Sequence, residues 1–123
     1  PPGSLQLLPY YGFCEPDDEI WGNTVAMIRA PSYAYSFADA PIAEIGCAHA
    51  PYPWILSLCN SLLCGYKEQA FRELEQMEMD NGIACESVDP FLGTCTTGAA
   101  FATCAGFLCH SMKQASKEAS HAD

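Results

Sequence analysis

Basic residues are what this chain has least of: five Lys plus Arg in 123 residues, against 15 Asp plus Glu, for a formal net charge of −10. Nucleic-acid binding rests on clustered Lys and Arg, so a phosphate backbone is excluded as a partner. Adsorption to anionic lipid is excluded on the same ground. Long apolar runs are scarce as well. The longest stretch without charge or proline, from about Phe91 to Met112, is too rich in Gly, Thr, Ser and Cys to span a membrane, and no membrane insertion is expected. There is no alternating run of β-branched residues, which leaves strands without a signal. Gly-x-Ser-x-Gly, His-Glu-x-x-His, a His-Asp pair of the phospholipase kind and the Asp-x-Asp-x-Asp-Gly calcium loop are all missing. Asn23, Asn60 and Asn81 are not followed by Ser or Thr two residues on, so N-glycosylation is not expected. The chain opens Pro1-Pro2-Gly3-Ser4, without a basic, apolar leader, so a secreted protein would be read here in its mature form.

Cysteine is abundant: Cys14, Cys47, Cys59, Cys64, Cys85, Cys95, Cys104 and Cys109. None forms a Cys-x-x-Cys pair, so thioredoxin-type redox chemistry and the common zinc spacings both fail. An even count in a small domain reads as a set of disulfides formed in an oxidising, extracellular compartment. Two C-x4-C cassettes recur, CNSLLC at 59–64 and CAGFLC at 104–109. Five residues along a helix turn about 140° and rise about 7.5 Å, so cysteines at that spacing diverge and are too far apart to bond to each other. Each cassette is expected to send staples to different neighbours, and the same divergence disfavours a metal site.

Local patterns point to helices. Residues 1–15 read as an irregular arm, broken by Pro1, Pro2, Pro9 and Gly12 and tied down at Cys14. Pro16 and the acids Asp17, Asp18 and Glu19 suit a helix start, with Ile20, Trp21, Thr24, Val25 and Ile28 on its apolar face and Pro31 as its stop. Between prolines 31, 41, 51 and 53, the segments SYAYSFADA and IAEIGCAHA each suit a short helix. The stretch 53–82 is the strongest helical pattern, with Gly65 as a candidate kink, a Glu68–Arg72 pair at i,i+4 spacing, and Asn81-Gly82 as the stop. ACESVDPFLGTC reads as a crosslinked loop. A final helix follows, capped by Thr96 or Thr97, with Phe101, Cys104, Ala105, Leu108 and Met112 on one side and a frayed tail over 118–123. The expected fold is all-α: one domain over 1–123, a disulfide-stapled bundle of four to five helices with an irregular arm.

Candidate sites follow from side-chain chemistry. The acids Asp17, Asp18, Glu19, Glu68, Glu75 and Glu78 are candidates for contact with a basic partner surface. Trp21, Trp54, Phe71, Phe101 and Leu108 are candidates for lining a small apolar cavity. His110 abuts Cys109, but neighbouring residues on a helix do not face each other, and a bonded cysteine has no thiolate to offer. His49 and His121 find no catalytic partner either, and no enzyme activity, metal or cofactor is expected.

In overall type the chain resembles the water-borne mating pheromones of Euplotes ciliates. The likeness rests on the eight cysteines from Cys14 to Cys109, the low basic content and the short capped helices. It implies a secreted signal that binds a cell-surface protein receptor through helix faces and self-associates through them. A weaker resemblance is to insect odorant-binding proteins: Cys95 and Cys104 match their C-x8-C pair, while their C-x3-C spacing is absent. That likeness implies a carrier of a small hydrophobic ligand. Effector or toxin-like secreted proteins share the same physics.

Overall fold

A computed structural model describes residues 4–121 of the chain. Four α-helices carry most of its regular structure, joined by a two-stranded sheet. The architecture is mostly helical, and the expected all-α bundle is corrected by this sheet and by the irregular segment 31–53.

The arm folds more than its prolines suggest. Ser4–Leu7 form a 3₁₀ turn that buries Gln6 and Leu7. Residues 1–3 lie outside the described part. The turn packs against α1 (Glu19–Ile28), where Trp21 Nε1 donates to the Leu5 carbonyl at 3.1 Å. The helix starts three residues later than Pro16 indicated, because Asp18 caps it: its Oδ1 accepts from Trp21 N at 2.8 Å. Of the expected apolar face only Val25 is buried, and Ile20 is 79% exposed.

Neither short helix forms between residues 31 and 53. Prolines at both ends and Pro41 within leave turns and one antiparallel bridge, Ser36 to Ile45. The chain is then drawn in as extended backbone: Trp54 N donates to Ile45 O, and Ile55 N to Glu86 O at 3.0 Å. Gly46 is required at this crossing, since a Cβ there would lie 2.5 Å from the Tyr52 carbonyl oxygen.

The long helical stretch divides into α2 (Ile55–Leu63) and α3 (Lys67–Glu75). Gly65, at φ 100°, makes the break, a backbone angle L side chains rarely adopt. Helix α2 is the centre of the molecule, packed chiefly against α4 (Ala102–His121) and then α3. Ile55, Leu58 and Leu62 are fully buried, as is Ile42 from the preceding segment. Each such side chain contributes about 1.5–3 kcal/mol relative to exposure. Helix α4 buries Cys104, Leu108, Ser111 and Ala115, a 4-3-4 stripe that defines its inner face. Its backbone stays helical through His121, so the expected tail is helical over 118–121, and residues 122–123 lie outside the described part.

Asn81-Gly82 does not stop a helix. With φ 51° and 86° it forms a two-residue turn, closed by reciprocal hydrogen bonds between Asp80 and Ile83. The segment expected as a crosslinked loop contains β1 (Ser87–Val88), paired antiparallel with β2 (Cys95–Thr97) through a bulge. Thr96 and Thr97 therefore lie in a strand instead of capping α4. Asp89 builds the intervening turn by accepting from the Phe91 and Leu92 amides.

Candidate functional site

The six acids singled out from the sequence are all exposed. Asp17, Asp18 and Glu19 open α1; Glu68 and Glu75 stand two turns apart on α3; Glu78 follows that helix. Around the first three, the segment 10–20 displays Phe13, 77% exposed, together with Tyr11 and Ile20. No Lys or Arg occurs before Arg29, so this surface joins large apolar side chains to the carboxylates of Glu15, Asp17, Asp18 and Glu19. The Tyr10 hydroxyl anchors the segment to α4 through His110, whose ring stacks on Phe107. His110 is thus occupied by packing, and His49 lies beside Trp54 at 6.4 Å.

The five aromatic and aliphatic residues expected around one cavity are not brought together. Leu108 belongs to the core, with Phe71 and Phe101 packed against its edge, and Trp54 is buried with its Nε1 donating to the Ala50 carbonyl. Trp21 borders a groove. That cleft, about 320 Å³, runs between the arm and the α2–α3 corner, lined also by Gln6, Pro9, Tyr10, Pro16, Leu63 and Cys64.

None of the eight cysteines expected to form bridges is bonded in the structure: Cys14, Cys47, Cys59, Cys64, Cys85, Cys95, Cys104 and Cys109 all carry free sulfurs. Both cassettes lie on helices, apart from Cys64, which caps α2. Cys59 and Cys104 are buried in the α2–α4 contact, while Cys64 faces Gln6 and Cys109 faces solvent. Inside the core these thiols pack as small apolar groups. Burial pushes Cys59 up to about 12 and Cys104 up to about 11, and it also raises Cys85, whose thiol donates to the Ser87 carbonyl at 3.2 Å. At the surface, partial desolvation and the charges of Asp18 and Glu15 hold the Cys14 thiol above its ordinary value.

The residues that sequence reasoning missed form a buried polar centre. Glu44 is fully buried. Its carboxylate accepts from Ser57 Oγ at 2.6 Å and from Ser61 Oγ at 2.7 Å. Arg29 Nη1 donates to Ser61 Oγ at 2.9 Å and to Gln6 Oε1 at 3.3 Å, with its guanidinium 3.9 Å above the Tyr66 ring. Glu73, also buried, accepts on Oε1 from Ala43 N at 3.0 Å and Gln69 Nε2 at 2.8 Å. Burial pushes Glu44 up to about 8, aided by the charge of Glu73 and a hydrogen bond to it; Arg29 and Ser57 oppose the rise.

No known family, curated protein or solved structure matches this chain. Function therefore rests on the geometry. Among the described residues no group of three or more His, Cys, Asp or Glu is placed to hold a metal ion, and no helix is long and apolar enough to cross a membrane. The polar centre is closed to a substrate, because Glu44 has no solvent-accessible surface. The outward chemistry of the molecule is its acidic and aromatic face. One signal for the centre was present in the sequence: Ser57 and Ser61, four residues apart, stand with Asn60 in a mostly apolar helix, and Glu44 stands between Ile42 and Ile45.

Proposed function

We propose that this protein is a secreted, disulfide-stapled signalling ligand that acts by surface recognition and not by catalysis. Its partner is a cell-surface protein receptor with a basic, apolar-lined contact surface. The observation carrying this reading is the segment 11–20, where Tyr11, Phe13 and Ile20 stand exposed among four carboxylates with no basic residue between them. Exposed large apolar groups inside a charged rim are the composition of a recognition surface: the apolar anchors supply affinity and the charges supply steering and register. Glu68, Glu75 and Glu78 extend the acidic character to α3, and helix faces of this kind also suit self-association. The cysteine density supports the stapled, extracellular form. The reading agrees with the likeness in type to ciliate pheromones.

The test uses fluorescently labelled protein and cells of its source. Binding is expected to be saturable and to weaken as salt rises. Phe13→Ala and the double reversal Asp17→Lys with Glu19→Lys are each expected to weaken binding about tenfold or more, leaving the α1 cap at Asp18 intact. Unchanged binding by both variants sinks the surface assignment.

A further inference from the structure

The buried polar centre sets two carboxylates, Glu44 and Glu73, against one guanidinium, Arg29. Fully ionised, it would hold one uncompensated negative charge in a low-dielectric interior, where such a charge is costly. It also contains an orphan acceptor. Glu73 Oε1 has two donors, but its Oε2 is buried without one. A single proton removes both defects. Placed on Glu44 and hydrogen-bonded to Glu73, it makes the trio electrically neutral and supplies the missing donor.

We propose that Glu44 and Glu73 share one proton, and that this shared proton is a pH-sensitive latch fastening residues 43–45 to helices α2 and α3. Backbone bonds from Trp54 N to Ile45 O and from Gly46 N to Tyr35 O hold the outer side of this segment, and side chains of α2 and α3 hold the inner side. Ala43 N donates to Glu73, Ile45 N donates to Ser57 Oγ at 3.1 Å, and the Glu44 side chain between them takes both α2 serines. Loss of the proton sets two adjacent anions against each other at the centre of these contacts.

The groups around Glu44 come from every element packed against it. The arm contributes the neutral Gln6, and α1 contributes Arg29 at its C-terminal cap. From α2 come Cys59 and Cys64, uncharged when bonded and equally so as thiols that burial raises to about 12 and about 11; behind Cys59 stands Cys104 of α4. Tyr66 lies under Arg29, and α3 adds Gln69 and Arg72. Glu73 floors an open groove of about 340 Å³ lined by Pro41, Ala43, Arg72 and Gln76, which is a route for the proton to solvent.

The direction of the effect follows from linkage. A glutamate free of such surroundings protonates near 4.5, whereas Glu44 in the fold does so near 8. Between these values the folded chain keeps a proton that the unfolded chain has released. The latch is at full strength below 4.5 and weakens as pH rises through 8, by about tenfold in the folding constant per pH unit across that window. Such a molecule is held tightest in a mildly acidic medium and loosens around residues 43–45 in an alkaline one.

Equilibrium urea unfolding of the wild type and Glu44→Gln from pH 5 to 9 reads the latch, because the amide keeps the neutral form at every pH. The folding constant of the wild type relative to the variant is expected to fall by about tenfold per pH unit up to about pH 8, then level off. A ratio independent of pH overturns the proposal. Carbon-13 NMR of the wild-type glutamate carboxyls keeps the test open should the variant not fold. One carboxyl is expected to titrate near 8 together with the Ala43 and Ile45 amide shifts. All glutamates titrating in the ordinary acidic range overturns the shared proton.

Discussion

Arg29 shows how one side chain can organise several segments. It is half-buried, bonds Gln6 from the arm and Ser61 from α2, covers Tyr66 at the α2–α3 corner, and offsets the Glu44–Glu73 pair. Arg29→Met keeps the stem and removes the charge and both donors. It is expected to destabilise the protein by about 2–3 kcal/mol at neutral pH, measured by urea unfolding. The cysteines divide at the same scale. In reduced native protein, Cys109 is exposed while Cys59, Cys85 and Cys104 are buried with raised thiols. A maleimide chase read by peptide mass is expected to modify Cys109 well before those three, since a thiol must be both reachable and ionised to react. Labelling of the three core cysteines at the rate of Cys109 would contradict this packing. The acids at 17–19 were legible as exposed because a run of carboxylates is rarely buried. Glu44 was marked only by its isoleucine neighbours and Glu73 by nothing, since a lone Glu looks much the same in sequence whether it meets water or two serines.

At the scale of elements, local rules were reliable where one residue decides the backbone. Gly65 separates α2 from α3 through its φ of 100°, with no crowding around it. Gly65→Ala is therefore expected to cost about 1–2 kcal/mol through backbone strain alone, seen as a lower midpoint in thermal unfolding. The first half of the α4 stripe was readable in advance, because Cys104 and Leu108 recur at helical spacing, while Ser111 and Ala115 were not read as buried. Reading failed where partners decide. Asn81-Gly82 suits a helix stop and a two-residue hairpin turn equally well, and Ile83 closing on Asp80 selects the turn. Ser87–Val88 and Cys95–Thr97 are too short to alternate visibly, so a strand appears there only because the two segments pair with each other and with Trp54. The same holds for residues 31–53. Their prolines excluded a long helix, but the extended path along Ile45, Trp54 and Ser87 needed the partner backbone.

For the whole molecule, the two proposals concern different parts. Receptor recognition is placed on an exposed acidic and aromatic face, and the proton latch lies in the interior, so failure of either experiment leaves the other standing. Composition alone determined the net charge, the scarcity of basic side chains, the apolar content available for a core and the points where proline or glycine must bend the chain. These are sums or single-residue properties and need no partners. Only the tertiary structure decided which acids face water and which meet each other. It also decided that the cassette cysteines Cys59 and Cys104 face inward while Cys109 faces out, and that one arginine serves two carboxylates. Each of those outcomes depends on residues far apart in the chain, such as Gln6, Arg29, Glu44 and Glu73, arriving at one place, and burial there gives ordinary side chains their unusual chemistry.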